Sequence, residues 1–175
     1  MPRPPSFVKC SHCAQCYWLS DAEEVGSVDV WDRGPDSKHP EWSAARYVEE
    51  PTEDEYYQHL ASASPVDPER ERDLRILAWW RGNDAIRRAS DSARSAIPAT
   101  GSSRANLVAL SALLNEDDEN DHVMKAEVLR ELGDFDAART TLATVTSEGY
   151  SPVVTQLRAL CDAGDASVRE LKFPR

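Results

Sequence analysis

Three cysteines within seven residues, Cys10-Ser11-His12-Cys13-Ala14-Gln15-Cys16, constrain this chain more than any other stretch. Thiolates at that spacing form a metal knuckle, a redox pair or the remnant of one. The segment around them is too short to bury a core of its own, so a bound metal would act as its staple. Nothing else in the 175 residues announces a reaction. The sequence contains no phosphate-cradling glycine loop followed by Lys-Ser/Thr, no His-Glu-x-x-His and no nucleophile elbow.

Punctuation divides the chain into a small irregular module over 1–33, a loop or linker over 34–51 and a helical domain over 52–175. In the first part, Phe7-Val8-Lys9 predicts a short strand and Tyr17-Trp18-Leu19 an apolar cover. Ser20-Asp21-Ala22-Glu23 has capping-box spacing and predicts a helical turn ending near Gly26. Val28, Val30 and Trp31 suggest another strand. Gly34-Pro35, His39-Pro40 and Pro51 mark the linker. From Thr52 the pattern turns helical: Thr52 and Glu55 form a capping box, and Asp67-Pro68 places an N-cap before a first-turn proline. Leu74, Leu77 and Ala78, widened by Ile76, Trp79 and Trp80, predict a broad buried face. Leu107, Leu110 and Leu114 recur at helical spacing, as do Val123, Ala126 and Leu129, then Phe135, Ala138 and Leu142, then Val154, Leu157 and Cys161. A last helical turn is expected through Val168 and Leu171. The acidic run 115–121 reads as a solvated loop with Asn120 or Asp121 capping the next helix. It lacks the glycine and the closing glutamate of a calcium loop.

Three turns share one chemistry: Gly82-Asn83-Asp84, Gly133-Asp134-Phe135 and Gly164-Asp165-Ala166. Each sets a glycine where a helix can stop and an Asx where the next can start, which predicts αα-hairpins. Ala126, Leu129, Leu132-Gly133, Phe135, Ala138 and Leu142 resemble the small, large and aromatic positions of a tetratricopeptide hairpin. More broadly, Cys10-x-x-Cys13 with Tyr17 through Glu23, then Ala78 through Asp84, then Lys125 through Gly133, resembles an uncharacterised family of small bacterial proteins. The resemblance implies a zinc-ribbon-like β module at the N-terminus and helices beyond it, and brings no activity with it. The fold expected is therefore mainly α, a helical bundle of tetratricopeptide-like hairpins with that small module attached.

Structural zinc takes four ligands. Cys10 and Cys13 make one pair and Cys16 extends it by the same interval. His39, free in an extended loop, is the candidate for the fourth. His12 sits inside the knuckle, where its side chain points away, and Cys161 lies on an apolar face as a core thiol. His59 and His122 suit surface roles on helices. A metal-free knuckle stays open beside the zinc site. An iron–sulfur cluster lacks its fourth cysteine with the following proline, and a thioredoxin-like pair lacks its βαβ context.

Charge narrows the partners. The formal net charge is -11, and residues 21–60 hold twelve acids against Arg33, Lys38 and Arg46. So acidic a chain repels a phosphate backbone unless a basic patch overrides the field. The eight arginines between Arg70 and Arg104 are interleaved with acids and read as a mixed-charge helix surface. Residues 1–20 carry Arg3 and Lys9 without an acid, the one basic tip open to nucleic acid. The longest apolar run, Ile76-Leu77-Ala78-Trp79-Trp80, is far short of the ~20 residues a membrane span needs. Clustered cysteines without a signal-like N-terminus point to a reducing cytoplasm. The sequence thus predicts a non-enzymatic interaction or adaptor protein with a structural zinc knuckle and a protein partner. The alternatives are a thiol redox or metal-dependent enzyme and a nucleic-acid accessory protein.

Overall fold

Glycine stops, Asx caps and one reciprocal capping box set the helix boundaries of this chain. The computed structural model describes residues 6–27, 42, 45–62, 67–88, 101–115 and 117–172, the side chains of 85–88 excepted. The chain divides into two compact units, Met1–Glu55 and Tyr56–Arg175.

In the first unit, β1 (Phe7–Lys9) and β2 (Cys16–Trp18) pair antiparallel, with Phe7 opposite Trp18 and Lys9 opposite Cys16. The Phe7 and Trp18 rings meet edge to face, their centroids 5.2 Å apart, the arrangement favoured by aromatic quadrupoles. Glu49 extends the ladder, exchanging backbone hydrogen bonds of 2.8 and 2.9 Å with Lys9. The turn expected from Ser20 to Gly26 is instead a single 3-10 turn over Leu19–Asp21. The Ser20 hydroxyl meets the Asp21 carboxylate rather than a helix N–H. The strand suggested at Val28, Val30 and Trp31 lies outside the described residues. At Thr52 the capping box forms as expected. The Glu55 N–H donates to the Thr52 hydroxyl, and the Thr52 N–H donates back to Glu55 at 2.8 Å. It opens α1 (Glu53–Ser62).

The second unit is built by α2 (Pro68–Arg88), α3 (Gly101–Leu113), α4 (Glu119–Glu131), α5 (Phe135–Ala143) and α6 (Ser151–Asp162). Mainly helical is thus the fold class, with a two-stranded sheet the only sheet among the described residues. None of its described helices is long and apolar enough to cross a membrane. Helix α4 is central because it feeds two apolar clusters. Val128 joins Ile76, Trp79, Leu107, Leu110 and Leu114 from α2 and α3 and the segment after it. Ala126 joins Leu142, Val154 and Leu157 from α5 and α6. Each fully buried large aliphatic side chain contributes ~1.5–3 kcal/mol.

Gly133 and Gly164 end α4 and α6 as the sequence predicts. Both have positive φ, 84° and 62°, and both close a six-to-one hydrogen bond: Asp134 N–H to Leu129 C=O and Asp165 N–H to Leu160 C=O. Asp134 then caps α5 through the Ala137 N–H. Gly82 does not behave this way. Helix α2 runs through Gly82-Asn83-Asp84 without a break, so the first of the three expected hairpins is absent. A glycine costs a helix only ~1 kcal/mol. Burial of Trp79 before it, and of Asn83 after it, outweighs that. The cap of α4 is Asp118, two residues before Asn120 and three before Asp121. Asp121 is buried inside α4, where it receives Arg72 of α2 and the Asn115 N–H.

The expected last turn through Val168 and Leu171 is not helical; residues 168–172 are irregular. Side chains take their backbone groups instead. The Arg130 guanidinium donates to the carbonyls of Asp165 and Ser167, and the Gln156 amide both donates to and accepts from the Lys172 backbone, at 3.0 and 2.9 Å. Arg130 has no exposed surface and is held by both Glu127 oxygens at 2.6 and 2.7 Å. Replacing Arg130 by Met should cost about 3 kcal/mol, because Glu127 and two carbonyls lose their partner. Urea unfolding of the full chain, followed by far-ultraviolet circular dichroism, measures it.

Candidate functional site

Two places concentrate chemistry, one in each unit. The first is the turn between β1 and β2. The Cys10 N–H donates to Gln15 C=O at 2.8 Å and the Ala14 N–H to Cys10 C=O at 2.9 Å, which closes a tight loop over Ser11-His12-Cys13. Ala14 reaches the left-handed region, φ 60°, a conformation that disfavours any residue with a Cβ. The loop so formed aims backbone at sulfur: the His12 N–H donates to Cys10 Sγ at 3.4 Å. Together with hydrogen bonds from Cys13, this holds the Cys10 thiol below its ordinary pKa; the Cys13 backbone N–H contributes most. Such donors stabilise a thiolate, the form that binds metal or attacks a disulfide.

Cys10 and Cys13 are therefore brought together. Cys16 stands on β2 opposite Lys9, beside the 2.7 Å ion pair of Lys9 with Glu55. Burial, then the charge of Glu55, pushes its thiol up, against a smaller opposite effect of Lys9. His12 is exposed. His39, expected as the fourth ligand, lies outside the described residues. Among the described residues no group of three or more His, Cys, Asp or Glu side chains converges as a metal cage. Cys161 is buried on α6, as its apolar neighbours led us to expect, and burial raises its pKa. All four cysteines are free thiols.

The second place is a cleft of about 460 Å³ in the helical unit, walled by α2, α4, α6 and the segment Val168–Leu171. Apolar side chains, Val123, Met124, Val153 and Leu157 among them, make most of its wall. Trp79 and Trp80, adjacent in sequence, divide their roles. Trp79 is 8% exposed and belongs to the core, whereas Trp80 is 49% exposed at the cleft. The expectation that the pair is buried together fails at Trp80, because two neighbours on a helix point about 100° apart.

Sequence reasoning missed the floor of this cleft. Glu131, at the end of α4, is 6% exposed. One of its oxygens accepts from the Trp79 indole at 2.8 Å and the other from the Asn83 amide at 3.3 Å. Arg130 stands 3.9 Å away but is committed to Glu127 and the chain carbonyls. Burial, then the charge of Glu127, pushes the Glu131 carboxyl up to about 7. The available signal was the spacing of two i, i+4 pairs, Trp79/Asn83 and Glu127/Glu131, which face one another only once α2 and α4 are packed. At the other end of α4, Glu119 goes the opposite way. It accepts from the backbone and hydroxyl of Thr146 and from the Ser147 N–H. The Ser147 hydroxyl foremost, then those Thr146 donors, pull its pKa to about 2.

Comparison with family models, with curated proteins and with solved structures finds no match for this chain.

The thiol environments order their reactivity. In the chelator-treated, metal-free chain, iodoacetamide alkylation followed by peptide mass spectrometry should label Cys10 with a pH midpoint below the ordinary 9.0 and Cys16 and Cys161 above it, with buried Cys161 slowest. Labelling of Cys161 ahead of Cys10 would contradict the loop geometry.

Glu131 carries a second, signed expectation. Its folded pKa of about 7 lies above the unfolded 4.5, so the folded chain holds the extra proton between those values. Its contribution to stability is full below pH 4.5 and falls as pH rises to 7. Glu131→Gln should remove that decline. The stability of the wild type relative to the variant should drop by on the order of 2 kcal/mol between pH 4.5 and 8, as measured by urea unfolding.

Proposed function

We propose that this chain is a non-enzymatic interaction protein of the cytoplasm, in which a metal-stapled N-terminal module accompanies a helical domain that receives a segment of a partner protein. The observation that carries this reading is the cleft. It has a largely apolar wall, a half-exposed tryptophan and a few fixed polar groups, the composition expected of a binding site. The hairpins of α4, α5 and α6, with their paired glycine stops, support a tetratricopeptide-like arrangement. Membership of the bacterial family resembled by the sequence remains part of the same proposal.

For the N-terminal module we propose a zinc-ribbon-like knuckle. The donor set suits zinc: thiolates at Cys10 and Cys13, with Cys16 and His39 completing four ligands by type. A loop that directs a backbone N–H at Cys10 Sγ, with Ala14 left-handed behind Cys13, fits a pair of metal thiolates. Zinc would supply a fixed cross-link there and no chemistry on a substrate. The free state of all four thiols suits a reducing compartment. One observation favours a second reading: the lowered Cys10 pKa also suits a thiol redox pair.

Metal analysis and thiol titration of the freshly purified chain separate the two. We expect one equivalent of zinc, with Cys10 and Cys13 protected from alkylation until a chelator is added. Cys10→Ser and His39→Ala should each lower zinc content, and Cys161→Ser should not. A metal-free chain whose Cys10 and Cys13 form a reversible disulfide would establish the redox reading instead. Unchanged zinc in His39→Ala would remove that residue from the ligand set.

A further inference from the structure

The cleft is lined more heavily by acids than by bases, and its charges are unevenly satisfied. Glu127, Glu131 and Glu170 line it against Arg169 alone. Arg169 is already engaged, its Nε 2.7 Å from Asp165. Arg130, whose Nη2 stands 3.9 Å from a Glu131 oxygen, spends its hydrogen bonds on Glu127 and on the carbonyls of Asp165 and Ser167. The α2 wall contributes Trp79, Trp80 and Asn83, and α6 contributes Val153 and Leu157, so neither adds a charge to the lining. Glu131 therefore has one neutral N–H donor on each oxygen, where a carboxylate can accept about four hydrogen bonds. A buried carboxylate so sparsely compensated gains most from an incoming cation.

The chain also shows what kind of backbone this surface accepts. Residues 168–172 pass along it without helical structure. Arg130 holds the carbonyls of Asp165 and Ser167 just before them, Gln156 holds the Lys172 backbone, and Leu171 packs against the Ala126, Leu142, Val154 and Leu157 cluster. A non-helical segment anchored by an apolar side chain is thus compatible with the walls. The exposed face of Trp80 offers both an apolar platform and a cation–π surface.

We propose that the cleft takes an extended segment of a partner protein that carries a lysine or arginine flanked by apolar residues, its cation received by the carboxylate side of the cleft at Glu131 and Glu170 and its apolar flank by Trp80. This rests on the reading of the cleft as the partner site. It explains why a carboxylate is kept at the floor of an apolar cleft, where a leucine would pack more cheaply. Binding is linked to protons. Glu131 titrates near neutrality, with Glu127, Arg130, Asp165, Arg169 and Glu170 as the charges around it. A cation therefore displaces its proton, and affinity increases as pH rises from 6 to 8.

The test uses the immobilised full chain and a library of acetylated, amidated heptapeptides with randomised central positions. We expect enrichment of lysine or arginine next to apolar residues. For the best peptide, calorimetry should show roughly tenfold weaker binding when its basic residue becomes norleucine, the loss of a charge-assisted hydrogen bond. That preference should vanish in Glu131→Gln. The exposed Glu170→Gln, which leaves the core untouched, should weaken the basic peptide several-fold and spare the norleucine one. Enrichment of apolar or acidic peptides without a basic residue, or an undiminished basic preference in both variants, overturns the proposal and leaves the cleft as a partner site of other specificity. Retention of no peptide, or of peptides indifferent to Trp80→Ala as well, overturns the reading of the cleft itself.

Discussion

A guanidinium with no exposed surface organises the helical unit. Arg130 sits on α4, the helix that joins both apolar clusters, and its burial is tolerable only because every direction of its planar fork is answered. Glu127 takes two of its five N–H groups, the carbonyls of Asp165 and Ser167 take two more, and Nη2 stands 3.9 Å from Glu131. Burial opposes its charge, and Glu127 together with Glu131 and Asp165 more than offsets that. Because the two carbonyls belong to the segment after α6, that segment is drawn across α4 as irregular chain. It becomes a wall of the cleft. A single buried cation thus decides both where the chain goes and what shape it leaves open.

The same helix distributes charge in a way that separates structural from receptive groups. Near its start, Asp121 is buried and answered by Arg72 and by the Asn115 N–H. Glu119 is half-buried and holds three donors from Thr146 and Ser147, which fixes the loop entering α6. At its end, Glu131 is buried with two neutral donors and, 3.9 Å away, a cation that donates its hydrogen bonds elsewhere. The first two are closed networks, and the third is open toward a cleft. In the N-terminal unit the asymmetry recurs among thiols. Cys10 receives backbone donors within a tight loop, whereas Cys16, three residues from Cys13, lies in a strand beside an ion pair.

Much of the helical layout was legible because it is written in local chemistry. The Thr52–Glu55 box, the Asp67-Pro68 start, the Gly133 and Gly164 stops and the Asp134 cap each act within one turn of chain. The heptad-like leucines of α3 and the apolar positions of α5 and α6 needed only periodicity. Gly82 misled because a glycine is permissive rather than obligatory: of the three turn glycines, Gly133 and Gly164 use positive φ and Gly82 does not. Ser20 misled in the opposite way, since a capping residue has nothing to cap unless the following segment has an apolar face to bury. Residues 168–172 misled because their periodicity was helical, while the segment from 165 to 172 finds its backbone partners on α4 and α6.

The sequence by itself determined that this protein is mainly helical beyond Thr52, where its later helices stop, and that Cys10 and Cys13 meet in a turn. Those features depend on residues within a few positions of one another, so the chain carries them locally. Tertiary structure alone decided that Trp80 is exposed while Trp79 is core, that α2 continues past Gly82, and that Glu131 is a buried acid at the floor of a cleft. Each of these depends on which helix faces which across roughly fifty residues of chain. Burial is a property of the packed assembly, and no window of sequence states it.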